Sequence, residues 1–217
     1  MKRGVFWGWL IVFLPAMVFA QEKIEAPVWN VGDKWTFTSD GSIEVVKLDP
    51  SGYILKFSDR NCMVETQGYN TILFEKSTRN RINAVEGDKR KKYVMGLSKV
   101  LDFPISTGKQ WKSAYSETVV SSWSGHKTFY DYSEFFKVLG WDDVAVRAGK
   151  FKAFKLEYKR VLTASSGFGS DIGKEFKNQY WYSPELKYFV KCEYDKDLIK
   201  GNKEIFDWEL TSFHLKK

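Results

Sequence analysis

The sequence predicts a mostly all-β fold, a curved antiparallel β-meander that forms a half-barrel or a two-layer sandwich. Short segments rich in β-branched and aromatic residues follow one another along most of the 217-residue chain. Turn dipeptides such as Asp40-Gly41 and Gln67-Gly68 separate these segments. Apolar residues alternate with charged ones inside several of them, which places one apolar row on one face of a strand. Such a sheet must bury that face by curling or by packing on a second layer.

The chain begins with the pattern of a secretory signal peptide over residues 1–20. Lys2 and Arg3 precede an apolar run that ends at the small residue Ala20. An uncleaved anchor is the alternative, because the run approaches the ~20 residues that a spanning helix needs. Pro15 inside the run favours cleavage. We therefore expect a periplasmic or secreted protein with no stable membrane span after cleavage.

The mature chain is expected to be a leader, residues 21–30, followed by a single β domain over 31–217. Cleavage lowers the formal net charge from +7 to +5, because the removed segment holds two basic residues and no acidic ones. A modest positive charge suits solubility and contact with anionic surfaces, and nucleic acid is not an expected partner of an exported protein.

The first half of the mature chain contains seven predicted strands. The opening strand follows a glycine turn and carries Trp35 and Phe37 on one face, and the third carries the alternating row of Tyr53, Leu55 and Phe57. The seven strands are predicted at approximately 33–39, 42–48, 52–58, 61–66, 70–76, 79–85 and 90–95.

Six further strands are predicted in the second half. Phe154, Leu156 and Tyr158 form an alternating row in one of them. Ser183-Pro184 marks a hairpin turn, because proline presets the dihedral angle of the second turn position and cannot donate to a strand ladder. The strands are predicted at approximately 110–122, 127–138, 151–163, 174–183, 186–195 and 204–215.

Little helix is expected, and only two short stretches have the required spacing. Residues 95–102 place Leu97, Val100 and Leu101 at helical intervals, and residues 132–139 could form one or two helical turns. A weak internal echo joins GDKW at 32–35 to GKQW at 108–111. It indicates either a duplicated β unit or the common way in which a glycine turn leads into an aromatic strand.

Cys62 and Cys192 are the only two cysteines. Export of an even pair favours one disulfide between them, which on the chain-entropy model would stabilise the fold by roughly 4 to 5 kcal/mol. Both cysteines also lie on apolar rows, as Cys192 does beside Val190 and Tyr194. Two buried free thiols are therefore the alternative.

No catalytic, cofactor or metal motif stands out in the sequence. His126 and His214 are the only histidines, no Gly-x-Ser-x-Gly pattern is present, and the cysteines and histidines lack zinc spacing. We predict a protein that is not an enzyme and that needs no cofactor and no metal.

Aromatic residues make up 17% of the chain, and seven of its nine tryptophans lie in the mature part. Aromatic side chains suit the core of a β-protein, and they equally suit a concave apolar cavity that takes a lipid-like ligand. If such a cavity exists, we expect it to be lined by Trp35, Trp111, Tyr158 and Trp181.

Two segments carry a resemblance to a diffuse group of exported bacterial β-proteins of unknown function. The chain matches V-x-A-G-x-F-x-A-F at 146–154 and W-Y-S-P-E at 181–185, and the segments G-D-x-W at 32–35 and F-P-x-x-x-G-K-x-W at 103–111 match the same group pattern. The resemblance implies an exported β-protein and no particular activity. A looser likeness to the half-open clam of periplasmic lipoprotein carriers implies a curved sheet around an apolar cavity, although this chain shows little of their helical lid.

These observations together predict an exported, non-enzymatic binding protein that holds an apolar or lipid-like ligand in a concave sheet face. The alternative is a structural or assembly subunit of a cell-envelope complex, whose partner would be an envelope protein. An exported hydrolase is a third hypothesis, for which the sequence offers no motif.

Overall fold

The computed structural model describes residues 22–38, 41–58, 69–87, 94–95, 99–120, 125–166, 172–194 and 207–217. The predicted signal peptide and the predicted strand 61–66 lie outside these ranges. The described strands are β1 (Lys34–Phe37), β2 (Ser42–Asp49), β3 (Gly52–Phe57), β4 (Tyr69–Glu75), β5 (Arg81–Gly87), β6 (Val94–Met95), β7 (Gln110–Val120), β8 (Lys127–Val146), β9 (Gly149–Ser165), β10 (Glu175–Ser183), β11 (Tyr188–Tyr194) and β12 (Trp208–His214).

All twelve strands belong to one open antiparallel sheet with the order β5-β4-β3-β2-β1-β12-β11-β10-β9-β8-β7-β6. Neighbours in this order are mostly neighbours in sequence, and the main long-range pairing joins the first strand to the last, as in Trp35 opposite Phe213. The described residues contain no helix, so none among them is long and apolar enough to span a membrane as a helix. The prediction of an all-β meander is confirmed.

The connection between β5 and β6 shows that the sheet must be strongly curved. These strands form its two opposite edges, yet only residues 88–93 separate them in sequence. Seven backbone steps from Gly87 to Val94 span at most about 25 Å. The edges of a flat twelve-stranded sheet would lie about 50 Å apart. The sheet therefore curls until its edges approach each other, as a half-barrel does.

One face of this curved sheet carries the hydrophobic core, and we call it the core face and the opposite one the outer face. The core is a single cluster that includes side chains from both halves of the sheet. Segment 22–30, which the sequence analysis assigns to a leader, also packs on it. Ile24 pairs with Ile105 through two backbone hydrogen bonds of 2.8 Å, and the Trp29 ring is buried.

Residues 132–139, for which the sequence allows one or two helical turns, belong instead to strand β8. These residues are extended, and Glu134, Phe136 and Val138 are buried while Lys137 and Leu139 are exposed. That is the period of two expected for a strand with one buried face, so the helical spacing is coincidental. Part of the other candidate, 99–102, is not helical either, and 96–98 lie outside the described residues.

The β8–β9 hairpin extends beyond the strand ends that the sequence predicts. A bulge interrupts the pairing between Val138 and Gly140, whose φ of 142° lies in the region that favours glycine. Beyond this bulge the hairpin tip reaches the last strand, where the Ala148 N–H donates to the Leu210 carbonyl at 3.0 Å. Gly140 in the bulge and the two aspartates that follow it interrupt the alternation of apolar and charged residues. The sequence pattern therefore does not predict that β8 continues beyond residue 138.

The two segments of the internal echo have the same local geometry. Gly32 and Gly108 have φ values of 91° and 79°, which only glycine adopts readily. Three residues later, Trp35 and Trp111 each donate the indole N–H to a distant backbone carbonyl at 2.8 Å. The echo is therefore a shared way of starting a strand, which both duplication and independent origin would explain.

The structure does not support the predicted disulfide between Cys62 and Cys192. Cys192 is a free thiol with no exposed surface, and it lies beside Tyr180 and Tyr194 on the core face. Cys62 lies outside the described residues. Burial in an aromatic environment raises the pKa of the Cys192 thiol, so almost none of it is the reactive thiolate. For Cys192 the alternative of a buried thiol is the correct one.

This burial predicts that Cys192 is unreactive in the folded protein. In a Cys62→Ser variant, we expect a thiol reagent such as DTNB to label less than a tenth of the chains natively and one thiol per chain in denaturant, since the thiolate is the reacting form. Absorbance at neutral pH measures both. Rapid native labelling would contradict the buried placement of Cys192.

Candidate functional site

An aromatic row crosses the core face of β7, β8, β9 and β10. Trp111 stands opposite Phe136 with its ring stacked at 5.0 Å, and the Phe136 ring lies 4.9 Å from that of Tyr158. Tyr180 continues the row with its ring 5.8 Å from Tyr158. Trp111 at the β7 end is only half-buried, whereas the other three are buried. We call these four residues the aromatic row.

Two charged residues lie beside this row on the core face. Glu134 and Arg160 occupy directly opposite positions of β8 and β9. The Glu134 side chain is only 2% exposed, and its carboxylate accepts a hydrogen bond of 2.8 Å from the Tyr158 hydroxyl. A carboxylate so deeply buried is uncommon in a β core and requires such donors.

A second aromatic layer flanks the charged pair on its other side. Tyr115 and Tyr132 stack at 5.0 Å, and the Arg160 guanidinium lies over the Tyr132 and Phe176 rings at 4.9 and 5.0 Å. An Arg160 nitrogen also donates to the Tyr115 hydroxyl at 3.2 Å. The charged pair is thus enclosed between two sets of aromatic rings, where cation–π contacts gain strength through desolvation.

The electrostatics of this region keep the hydroxyl groups of Tyr158 and Tyr180 protonated. Burial raises the pKa of Tyr158 well above its usual value, and the Glu134 charge raises it further. Burial likewise raises the pKa of Tyr180 and lowers that of Arg160. The tyrosines are therefore hydrogen-bond donors at neutral pH, and the site offers a few oriented polar groups within an apolar surface.

The structure brings together two of the four nominated aromatics, Trp111 and Tyr158, through Phe136. Trp35 is fully buried in another part of the core, where it stacks on Tyr188 at 4.9 Å. Trp181 is 4% exposed and belongs to the same hydrophobic cluster, but it stands on the opposite face of β10 from Tyr180.

On the outer face, the Trp181 ring is covered by two lysines. The Nζ atoms of Lys155 and Lys191, from the strands on either side, lie 4.8 and 5.0 Å from its centroid. Its indole N–H donates to the Asp142 carboxylate at 2.8 Å. Trp181 is therefore held by charged neighbours and lies apart from the aromatic row.

Glu134 and Arg160 were not predicted from the sequence as site residues. A signal for Glu134 existed in the alternating row Tyr132, Glu134, Phe136 and Val138, where one carboxylate replaces an apolar residue. Considering this stretch as a helix concealed the signal, because a helix would place these four residues on different faces. Arg160 similarly follows Phe154, Leu156 and Tyr158 at the same period of two.

Two open grooves lie beside β9 and its neighbouring strands. The larger, of about 440 Å³, is lined by Glu157, Lys177, Asn178, Gln179, Glu193, Tyr194 and Asp207. The smaller, of about 210 Å³, is lined by Gln110, Phe135, Phe136, Lys137, Glu157 and Lys159. Neither is lined by a nominated aromatic, and no group of His, Cys, Asp or Glu among the described residues is arranged to hold a metal ion.

Comparison with known proteins identifies the fold and no activity. No protein-family model and no curated protein matches this chain. A solved structure of a predicted exported protein with a YmcC-like fold from Bacteroides fragilis NCTC 9343 is 14% identical, with a TM-score of 0.53 over 88% of this chain and 99% of its own.

Two predicted or hypothetical lipoproteins are also similar. One from Parabacteroides distasonis ATCC 8503 is 12% identical, with a TM-score of 0.50 over 89% of this chain and all of its own. The other, YmcC from Escherichia coli K12, is 9% identical, with a TM-score of 0.45 over 90% of this chain and 92% of its own. At these identities the first two likenesses show a shared fold alone.

Proposed function

We propose that the protein is an exported, non-enzymatic binding protein that holds an apolar or lipid-like ligand against the aromatic row. The observation that carries this proposal is the enclosure of Glu134 and Arg160 between two aromatic layers on the core face. Ligand sites are typically apolar surfaces with a small number of convergent polar groups that orient the ligand. The half-buried Trp111 ring is the part of the row through which a ligand would make contact.

An extracytoplasmic location is part of the same proposal. The signal-peptide pattern of residues 1–20 supports export, as do the solved structures with this fold, which are described as exported proteins or lipoproteins. Residue 21, after the expected cleavage point, is glutamine and not the cysteine at which a lipoprotein is lipid-modified. We therefore propose release into the periplasm or medium and not lipid anchoring.

The decisive test is native purification of the protein from the periplasm, followed by solvent extraction and mass spectrometry of the bound molecules. We expect about one apolar or lipid-like molecule per chain. In a Trp111→Leu variant we expect at least half of it to be lost, because the variant removes the half-buried ring and its stacking on Phe136.

Trp141→Leu is a matched control for this test. Trp141 is also a half-buried tryptophan of a β-strand, stacked on Phe154 at 3.9 Å and covered by Lys152, and it lies outside the aromatic row. We expect this variant to keep its ligand. An empty wild-type protein, or equal retention in the two variants, would contradict the proposed site.

The two sheet edges support the second candidate function, an assembly subunit of an envelope complex. Within the described part of the chain, β5 and β6 each pair with a strand on one side only. An unpaired edge can accept a strand from a partner protein. Crosslinking in intact cells distinguishes the two functions, because an assembly subunit would be recovered with an envelope protein and without a stoichiometric ligand.

A further inference from the structure

The turn between β4 and β5 holds an arginine in a strained conformation. Arg79 has a φ of 59°, in the left-handed region that arginine rarely adopts. The turn is fixed, because the Arg79 N–H donates to the Glu75 carbonyl at 3.0 Å and the Asn80 side chain makes two hydrogen bonds to the Leu101 backbone, of 2.7 and 3.1 Å. Strained residues held by their surroundings cluster at ligand sites.

The Arg79 side chain is buried in an aromatic setting with only part of its hydrogen bonding satisfied. It is 5% exposed, and its guanidinium lies 4.6 Å from the Tyr53 ring centroid and 5.4 Å from that of Trp29. Nη2 donates to the Pro27 carbonyl and, at 3.5 Å, to the Tyr53 hydroxyl, while Nε and Nη1 have no hydrogen-bond partner among the described residues. No ion pair with Arg79 occurs among those residues either.

A second buried donor near Arg79 is also unsatisfied. The Tyr182 hydroxyl has no hydrogen-bond partner within the described ranges, and it lies close enough to Arg79 for the guanidinium charge to affect its pKa. Burial raises the pKa of Tyr182, so its hydroxyl stays protonated. Two guanidinium nitrogens and one hydroxyl thus require an acceptor, and an unpaired buried cation is costly without an opposing charge.

We propose that Arg79 and Tyr182 form a binding site for an oxyanion, the carboxylate or phosphate group of a small molecule or of a lipid. Arg79 Nε and Nη1 donate to its oxygens, the Tyr182 hydroxyl supplies a further donor, and the Trp29 and Tyr53 rings hold the guanidinium in place. Charge-assisted hydrogen bonds of this kind are among the strongest in proteins. The site lies apart from the aromatic row and does not rest on the proposed function.

Thermal unfolding of the mature protein in different anions tests this site. We expect Tm to rise in a saturable way with inorganic phosphate or with acetate, relative to chloride at equal ionic strength, because an anion that binds only the folded state stabilises it. In Arg79→Met the rise disappears. Decanoate, added as a further arm, binds at least tenfold more tightly than acetate if the oxyanion belongs to a lipid.

Arg147→Met is the matched control, since it removes the same charge from a side chain that is 70% exposed and pairs with Glu209 at 3.1 Å. It should retain the full anion effect. An equal anion effect in wild type and Arg79→Met, or none in wild type, would overturn the proposal.

If Arg79→Met does not fold, Tyr182→Phe tests the site instead, because loss of one hydrogen bond to an anion should weaken its apparent Kd about tenfold. An unchanged Kd in that variant overturns the site.

Discussion

Replacing Asp33 with alanine is expected to lower the free energy of unfolding by about 3 to 5 kcal/mol. The Asp33 side chain has no exposed surface. One carboxylate oxygen accepts the Lys216 backbone N–H at 2.7 Å, and the other accepts the Asn30 N–H at 2.8 Å and the Lys187 ammonium at 3.3 Å. Alanine would leave three donors, one of them charged, without their acceptor. Denaturant unfolding followed by tryptophan fluorescence measures the loss.

Lys34→Ala is the matched control for Asp33→Ala, since it removes a charge at the next position. Lys34 forms an ion pair with Glu44 at 3.8 Å, and both side chains are more than 40% exposed. Exposed pairs contribute about 0 to 1 kcal/mol, so the control should be nearly neutral. A similar small loss in both variants would show that Asp33 is not the anchor that its contacts indicate.

The role of Asp33 explains why the sequence could predict the strands and not their assembly. Alternation and turn residues are local, so β1 and the turn before it were predictable from residues 31–37 alone. Two of the three partners of Asp33, Lys187 and Lys216, lie 154 and 183 positions away in sequence. Nothing in the local pattern indicates these two partners, and the pairing of β1 with β12, which joins the two halves of the sheet, has the same long range.

The candidate site was partly predictable for a similar reason. Trp111 and Tyr158 meet because β7, β8 and β9 are consecutive strands, whose pairing follows from the order of the chain. The face of Trp181 was not predictable, since Tyr180, Trp181 and Tyr182 are all aromatic and either parity could face the core. In the structure, lysines on both neighbouring strands cover the Trp181 ring. Which residues of those strands stand beside Trp181 depends on the strand register, which the local sequence does not give.

Trp35→Ala is expected to lower the free energy of unfolding by about 3 to 5 kcal/mol, because it opens a large cavity in a close-packed core. Trp35 is fully buried, stacks on Tyr188 at 4.9 Å and meets the edge of Trp29 at 6.1 Å. Trp35→Phe restores most of the volume but removes the indole N–H that donates to the Leu186 carbonyl at 2.8 Å. We expect that variant to lose about 1 to 3 kcal/mol.

The same two variants separate a structural role of Trp35 from a ligand-binding one. Urea unfolding gives their stability, and mass spectrometry of solvent extracts gives the ligand that each retains. Because Trp35 lies away from the aromatic row, Trp35→Phe should retain as much ligand as wild type despite its lower stability. Trp111→Leu should show the opposite pattern, with a smaller loss of stability and a larger loss of ligand, since its ring is only half-buried. Ligand loss in Trp35→Phe equal to that in Trp111→Leu would place the binding surface in the part of the core around Tyr188 and Trp29.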